Sequence, residues 1–197
     1  MSENIPLEVE LVSPQHWQKW LSPEQPNTLI HRPFGPSEFR FSASSRGGYL
    51  MSIFHDLILS SGYERLFFLT QNAPQYQGIF PFDIPESNES NLYEYHLVSD
   101  NFEILIHDID GLLAWCRQNP TEAVGCLEAD NEQELLKGLD KAIFTLKPDK
   151  VNGYLDGEYC NPLCVFSVLK TVREFLVQAQ KQGYWLVCGY WIGISGY

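Results

Sequence analysis

Basic residues are nearly missing from one quarter of this chain. Between Asp83 and Glu134 stand thirteen acidic residues against a single base, Arg117. That stretch carries a net charge of −12, which equals the net charge of all 197 residues, so the rest of the chain balances. A surface of this sign repels phosphate, which excludes nucleic acid as the expected partner. Long apolar runs are also missing. The longest, Trp185 to Ile194, is half of the roughly 20 residues a membrane span requires, so none is expected. Met1 to Pro6 has no basic region and no apolar core, so a signal peptide is not expected either, and a cytoplasmic setting is. The five cysteines are odd in number and lack framework spacing. Cys160 and Cys164 are the one close pair and have no second pair to complete a zinc or redox motif, so the expectation is reduced thiols and no metal site. No P-loop, dinucleotide fingerprint, metalloprotease helix, nucleophile elbow or EF-hand loop occurs, and no cofactor is expected.

What the chain does have is apolar material from end to end: 44% hydrophobic and 14% aromatic residues, which excludes disorder. Its length suits one domain, spanning 1–197. The apolar pattern divides it. Leu7, Val9 and Leu11 alternate with acids, as do Phe39, Phe41 and Ala43 with polar residues, and both read as strands. Ser13-Pro14 opens a short helix with Trp17 and Trp20 on one face. Gly47 to Ser60 carries a helical stripe of Leu50, Ile53, Phe54, Leu57 and Ile58. Arg65 to Thr70 is an apolar run of strand length. Tyr93, Tyr95 and Leu97 alternate, as do Phe102, Ile104 and Ile106, with Ser99-Asp-Asn between them, which predicts a hairpin. Asp108 or Asp110 then caps a helix to Arg117, stopped by Asn119-Pro120, and Ala123 to Leu127 reads as a brief strand. Asn131 caps a helix running through Ala142, Ile143 and Leu146 to Pro148. Pro162 to Gln182 is the longest helix, closed by Gly183, and Tyr184 to Ile192 is an apolar strand without charge or proline, expected at the centre of a sheet. The fold class is α+β: a single domain with a mainly antiparallel sheet and four to five packed helices.

Two places stand out as candidate sites. The acidic quarter suits a basic protein partner. If the hairpin forms, Glu94 and Glu103 share its outward side; Asp108 and Asp110 follow, and Glu128, Asp130, Glu132 and Glu134 gather at the next helix start. Trp115, Tyr154 and Tyr159, flanked by charge and turn residues, are candidate aromatic anchors for such a partner, although core packing also accounts for Trp115. Size, acidity and aromatic content together point to an immunity-type inhibitor that captures a basic, toxin-like protein such as a nuclease. The second place is Ser44, Ser45, Arg46 and Gly47, where hydroxyls, a guanidinium and backbone N–H groups at a helix start could hold an anion. It supports an alternative reading, a small-molecule enzyme with a site assembled from distant residues such as Arg46 and His55. A third reading is a homodimeric structural or regulatory subunit joined through the C-terminal strand. The chain is taken as a binding protein rather than an enzyme, with no catalytic residues assigned.

Overall fold

The computed structural model describes residues 4–15, 39–46, 49–70, 92–127, 129–146 and 161–192. Trp17, Trp20, Gly47, Glu128, Tyr154, Tyr159 and Cys160 lie outside the described residues.

Four strands, β1 (Asn4–Val12), β2 (Arg40–Arg46), β3 (Leu92–Val98) and β4 (Trp185–Ile192), form one antiparallel sheet in the order β2-β1-β4-β3. The uncharged final strand is central, as its composition implies. It pairs with β1 through Leu7–Tyr190 to Val12–Trp185, and with β3 through Leu92–Ile192 to Val98–Leu186. Among the described residues β2 and β3 are the edges.

One face of this sheet carries Leu7, Val9, Leu11, Phe41, Ala43, Leu186 and Cys188, all buried. Helix α5 (Pro162–Gln182) lies against it across β1 and β4, and α1 (Tyr49–Ser61) packs on β2. A second helical layer, α2 (Phe102–Gln118) and α4 (Glu132–Lys141), covers the opposite side of α5. The short α3 (Pro120–Leu127) joins them and touches α1. This arrangement explains the composition of α5. A helix with sheet on one side and helices on the other must be apolar nearly all round, and twelve of its residues are buried. Its ends follow from sequence. The Asn161 side chain accepts from the Cys164 N–H at 2.9 Å, Pro162 takes the first turn, and Gly183 leaves the helix at φ 65°.

Three expected strands are helical instead. Glu64–Leu69 forms a 3₁₀ turn, with the Leu66 N–H donating to the Tyr63 carbonyl and the Thr70 N–H to the Phe67 carbonyl. A short apolar run does not distinguish these states by periodicity. Phe102–Ile106 is the first turn of α2 and not the second arm of a hairpin. Its alternation is overridden by Leu105, Ile109, Leu112 and Cys116, a buried stripe at helical spacing. The turn itself is where the sequence puts it: Asn101 adopts the left-handed conformation, φ 58°, that asparagine tolerates. Ala123–Leu127 belongs to α3, where Ala123 and Leu127 bury one helical face. Pro120 sits at the start of that helix as readily as it stops the one before.

Helix α4 ends at Lys141, short of Pro148. The Lys170 ammonium of α5 donates to the carbonyls of Leu139 (3.3 Å) and Ala142 (2.7 Å), holding the helix end. The chain then runs extended along α5, its Ile143 and Thr145 N–H groups donating to the Ser167 and Thr171 hydroxyls. Ile143, expected in the apolar stripe, is exposed as a result, and so is Phe144.

The crossing of α4 on the start of α5 depends on Gly138. A β-carbon there would lie 2.7 Å from Pro162 Cβ and 2.8 Å from the Leu163 backbone nitrogen. Backbone cannot rotate away as a side chain can. Gly138→Ala is therefore expected to destabilise the fold by about 1–3 kcal/mol, despite alanine's better helix propensity. Urea unfolding measures it; a stabilised variant would show that the helices separate freely.

Candidate functional site

The residues of the acidic quarter do not share one face. Backbone pairing sets Glu94 opposite Tyr190, with the same strand parity as buried His96 and Val98. The hairpin that would have set Glu94 and Glu103 on one outward side does not form, because Phe102 begins α2. Glu103 is exposed in the first turn of α2 and accepts from the Gln180 amide at 3.0 Å.

Asp108 is neither a cap nor a surface residue. It lies mid-helix on α2, 1% exposed, and both carboxylate oxygens accept from Arg65, from Nε and Nη2 at 2.6 Å each. Its interior placement removes it from any surface offered to a partner. The fork-to-fork pair ties the 3₁₀ turn to α2. One turn on, Gly111 lets the Tyr63 ring lie directly against the helix backbone, where a side chain would collide with it. Asp110 is exposed but pairs bidentately with Arg173 of α5, at 2.6 and 2.8 Å. That bond is the main reason the Arg173 guanidinium is held above its ordinary pKa. Trp115 is half-buried and packs against the hydrophobic core.

The remaining acids gather at a different place, the corner where α3 and α4 begin. The Thr121 hydroxyl donates to Glu132 Oε1 at 2.6 Å, which brings the two helix starts side by side. The Asn131 side chain accepts from the Glu134 N–H at 2.9 Å, and Glu134 Oε2 accepts from the Asp130 N–H at 3.1 Å, so Glu134 is half-consumed in capping. Glu122, Asp130 and Glu132 are exposed and have no basic partner among the described residues. Two adjacent helix N-termini favour carboxylates there, each by about 0.3–1 kcal/mol. Glu103 is separated from this corner by most of α2, roughly 22 Å at 1.5 Å per residue. Glu122, absent from the candidate set read from sequence, joins the corner. Its signal was available in the Pro120-Thr-Glu start of a helix that alternation disguised as a strand.

The candidate anion site also changes. Ser44, Ser45 and Arg46 are strand residues, paired with Pro6, Ile5 and Asn4. Since α1 begins only at Tyr49, neither serine stands at its N-cap. His55, half-buried on α1, packs its ring 5.5 Å from that of Phe67.

Cys116, Cys164 and Cys188 are buried. Cys188 is buried on β4 opposite His96, and burial pushes its pKa up. Burial, with Cys126 nearby, pushes Cys116 up to about 12. Neither is a thiolate at neutral pH, which is the form nucleophilic chemistry requires. Cys164 is buried in the first turn of α5. Among the described residues no group of three or more His, Cys, Asp or Glu is placed to hold a metal ion. No helix among them is long and apolar enough to cross a membrane.

Compared with known proteins, the chain matches no family model, no curated protein and no solved structure.

Proposed function

We propose that this is an acidic binding protein that captures a basic protein partner, and that the corner formed by the starts of α3 and α4 is the contact. One observation carries the reading. Asp108 and Asp110 of α2 are neutralised by Arg65 and Arg173, whereas Glu122, Asp130 and Glu132 stand exposed with no basic partner among the described residues. Excess charge of one sign repels itself, and a basic surface relieves that repulsion on binding. In its specific form the proposal is an immunity-type inhibitor of a basic toxin such as a nuclease. The acidity supports a basic target, and the neutral thiols of Cys116 and Cys188 give no support to a cysteine enzyme.

The test is kinetic. A partner recovered on the immobilised protein at low salt and eluted at high salt is purified and its association rate measured over a salt series. The combined variant Glu122→Lys, Asp130→Lys, Glu132→Lys is expected to slow association at least about tenfold, with a flatter salt dependence. Glu134 is left intact because it caps α4. Circular dichroism checks that the variant is folded. An association rate indifferent to both salt and charge reversal refutes the proposal, and the acidity then serves solubility.

A further inference from the structure

We propose that His96 is an acid-sensitive latch: neutral, it holds Thr70 against the edge strand β3, and on protonation it lets that contact go. The ring is 3% exposed, and its Nε2 lies 2.8 Å from the Thr70 carbonyl, 26 residues earlier in the chain. A carbonyl only accepts, so Nε2 carries the proton and Nδ1 presents a lone pair. Nδ1 is buried and has no hydrogen-bond partner among the described residues. Protonation would put a charge and a second N–H donor where no described residue accepts from it.

Among the described residues no side chain compensates the charge. From β4, Cys188 stands directly opposite; its thiol is kept neutral by burial and does not bond to Nδ1. Further along that strand is Tyr190, paired with Glu94, the one carboxylate of β3. From the 3₁₀ turn that ends at Thr70, the charged residues are Glu64 and Arg65, both exposed, with Arg65 committed to Asp108. Burial holds the imidazole below its ordinary value of 6.5, and the bond to Thr70 only partly offsets this. The sign follows. Below about pH 6.5 an opened segment binds a proton that the closed one rejects, so closure weakens as pH falls, by up to about tenfold per pH unit. β3 has one described neighbour, β4, so it can loosen while the β1–β4 centre of the sheet stays paired.

Hydrogen exchange resolves this segment by segment. After correction for intrinsic rates, amides of β3 and of Leu66–Thr70 are expected to open at least about tenfold more at pH 5 than at pH 7, while those of β1 and α5 hold. His96→Gln keeps an N–H donor and takes no charge, so it should lose the pH response. A response spread evenly over the chain, or retained in His96→Gln, overturns the proposal. Should that variant fail to fold, histidine NMR of the native chain decides: the His96 ring is expected neutral at pH 6.5, and half-protonation at or above that pH overturns the latch.

Discussion

Replacing Arg65 with methionine is expected to destabilise the fold by about 3 kcal/mol, whereas Asp108→Asn should cost only about 1–2 kcal/mol. The two residues share one ion pair, and the difference comes from where each sits. Asp108 is 1% exposed, and Arg65 is 53% exposed. Removing the guanidinium strands an ionised carboxylate inside the protein, a change that ranges over about 3–5 kcal/mol. The lower end applies because water can enter the half-open position that Arg65 leaves. Removing the carboxylate charge strands nothing, since a half-exposed guanidinium stays hydrated. Chemical denaturation of both variants at pH 7 tests this. Equal losses for the two variants would mean that the pair acts as a surface salt bridge and not as a buried charge with its counterion.

The second large effect is expected at Phe175. This fully buried ring of α5 meets Phe41 of β2 edge-on, with centroids 5.2 Å apart at 84°, and Phe39 at 5.9 Å and 83°. Phe175→Ala deletes the ring from the seam between the long helix and the sheet. It leaves a cavity that its two aromatic neighbours, Phe41 in β2 and Phe39 just before it, fill poorly. The expected cost is about 3–5 kcal/mol. Phe175→Leu keeps most of the volume and should cost less than half as much. Urea titrations with unchanged slope would attribute the loss to packing and not to a looser native state. A loss below about 1.5 kcal/mol for the alanine variant would show that the seam collapses around the gap.

The long helix and the central strand were legible in the sequence because their signals do not compete. In α5, Asn161-Pro162 at one end, Gly183 at the other and a 3.6-residue stripe between them all point the same way. The β3–α2 region was misread because its signals conflict over five residues. Phe102, Ile104 and Ile106 alternate, yet the same segment starts the spacing Leu105, Ile109, Leu112 and Cys116, which packs against α5. Tertiary contact selected the longer pattern. The candidate site inherited that error. Glu94 and Glu103 were set side by side by a hairpin that does not form, and Asp108 appeared to be a cap because its counterion lies 43 residues away. Long-range ion pairing leaves no mark on local sequence. The helix-start signal at Asn131 was local, and the structure has Asn131 capping α4 with Glu132 and Glu134 in its first turn.

The pairing of β1 with β4 has a consequence for how the chain comes to be folded. The two strands at the centre of the sheet, Asn4–Val12 and Trp185–Ile192, stand more than 170 residues apart. As the polypeptide leaves the ribosome, β1 can find β2 early, but its other edge waits for nearly everything else to be made. Until then the apolar face that β1 and β2 turn toward α5 has no cover, because α5 itself is made only just before β4. Closing so large a loop is slow, and the intermediate presents an open strand edge beside uncovered aliphatic surface. Such a species is prone to stick to its neighbours, so exposure to aggregation is greatest in the interval between synthesis of β1 and arrival of β4.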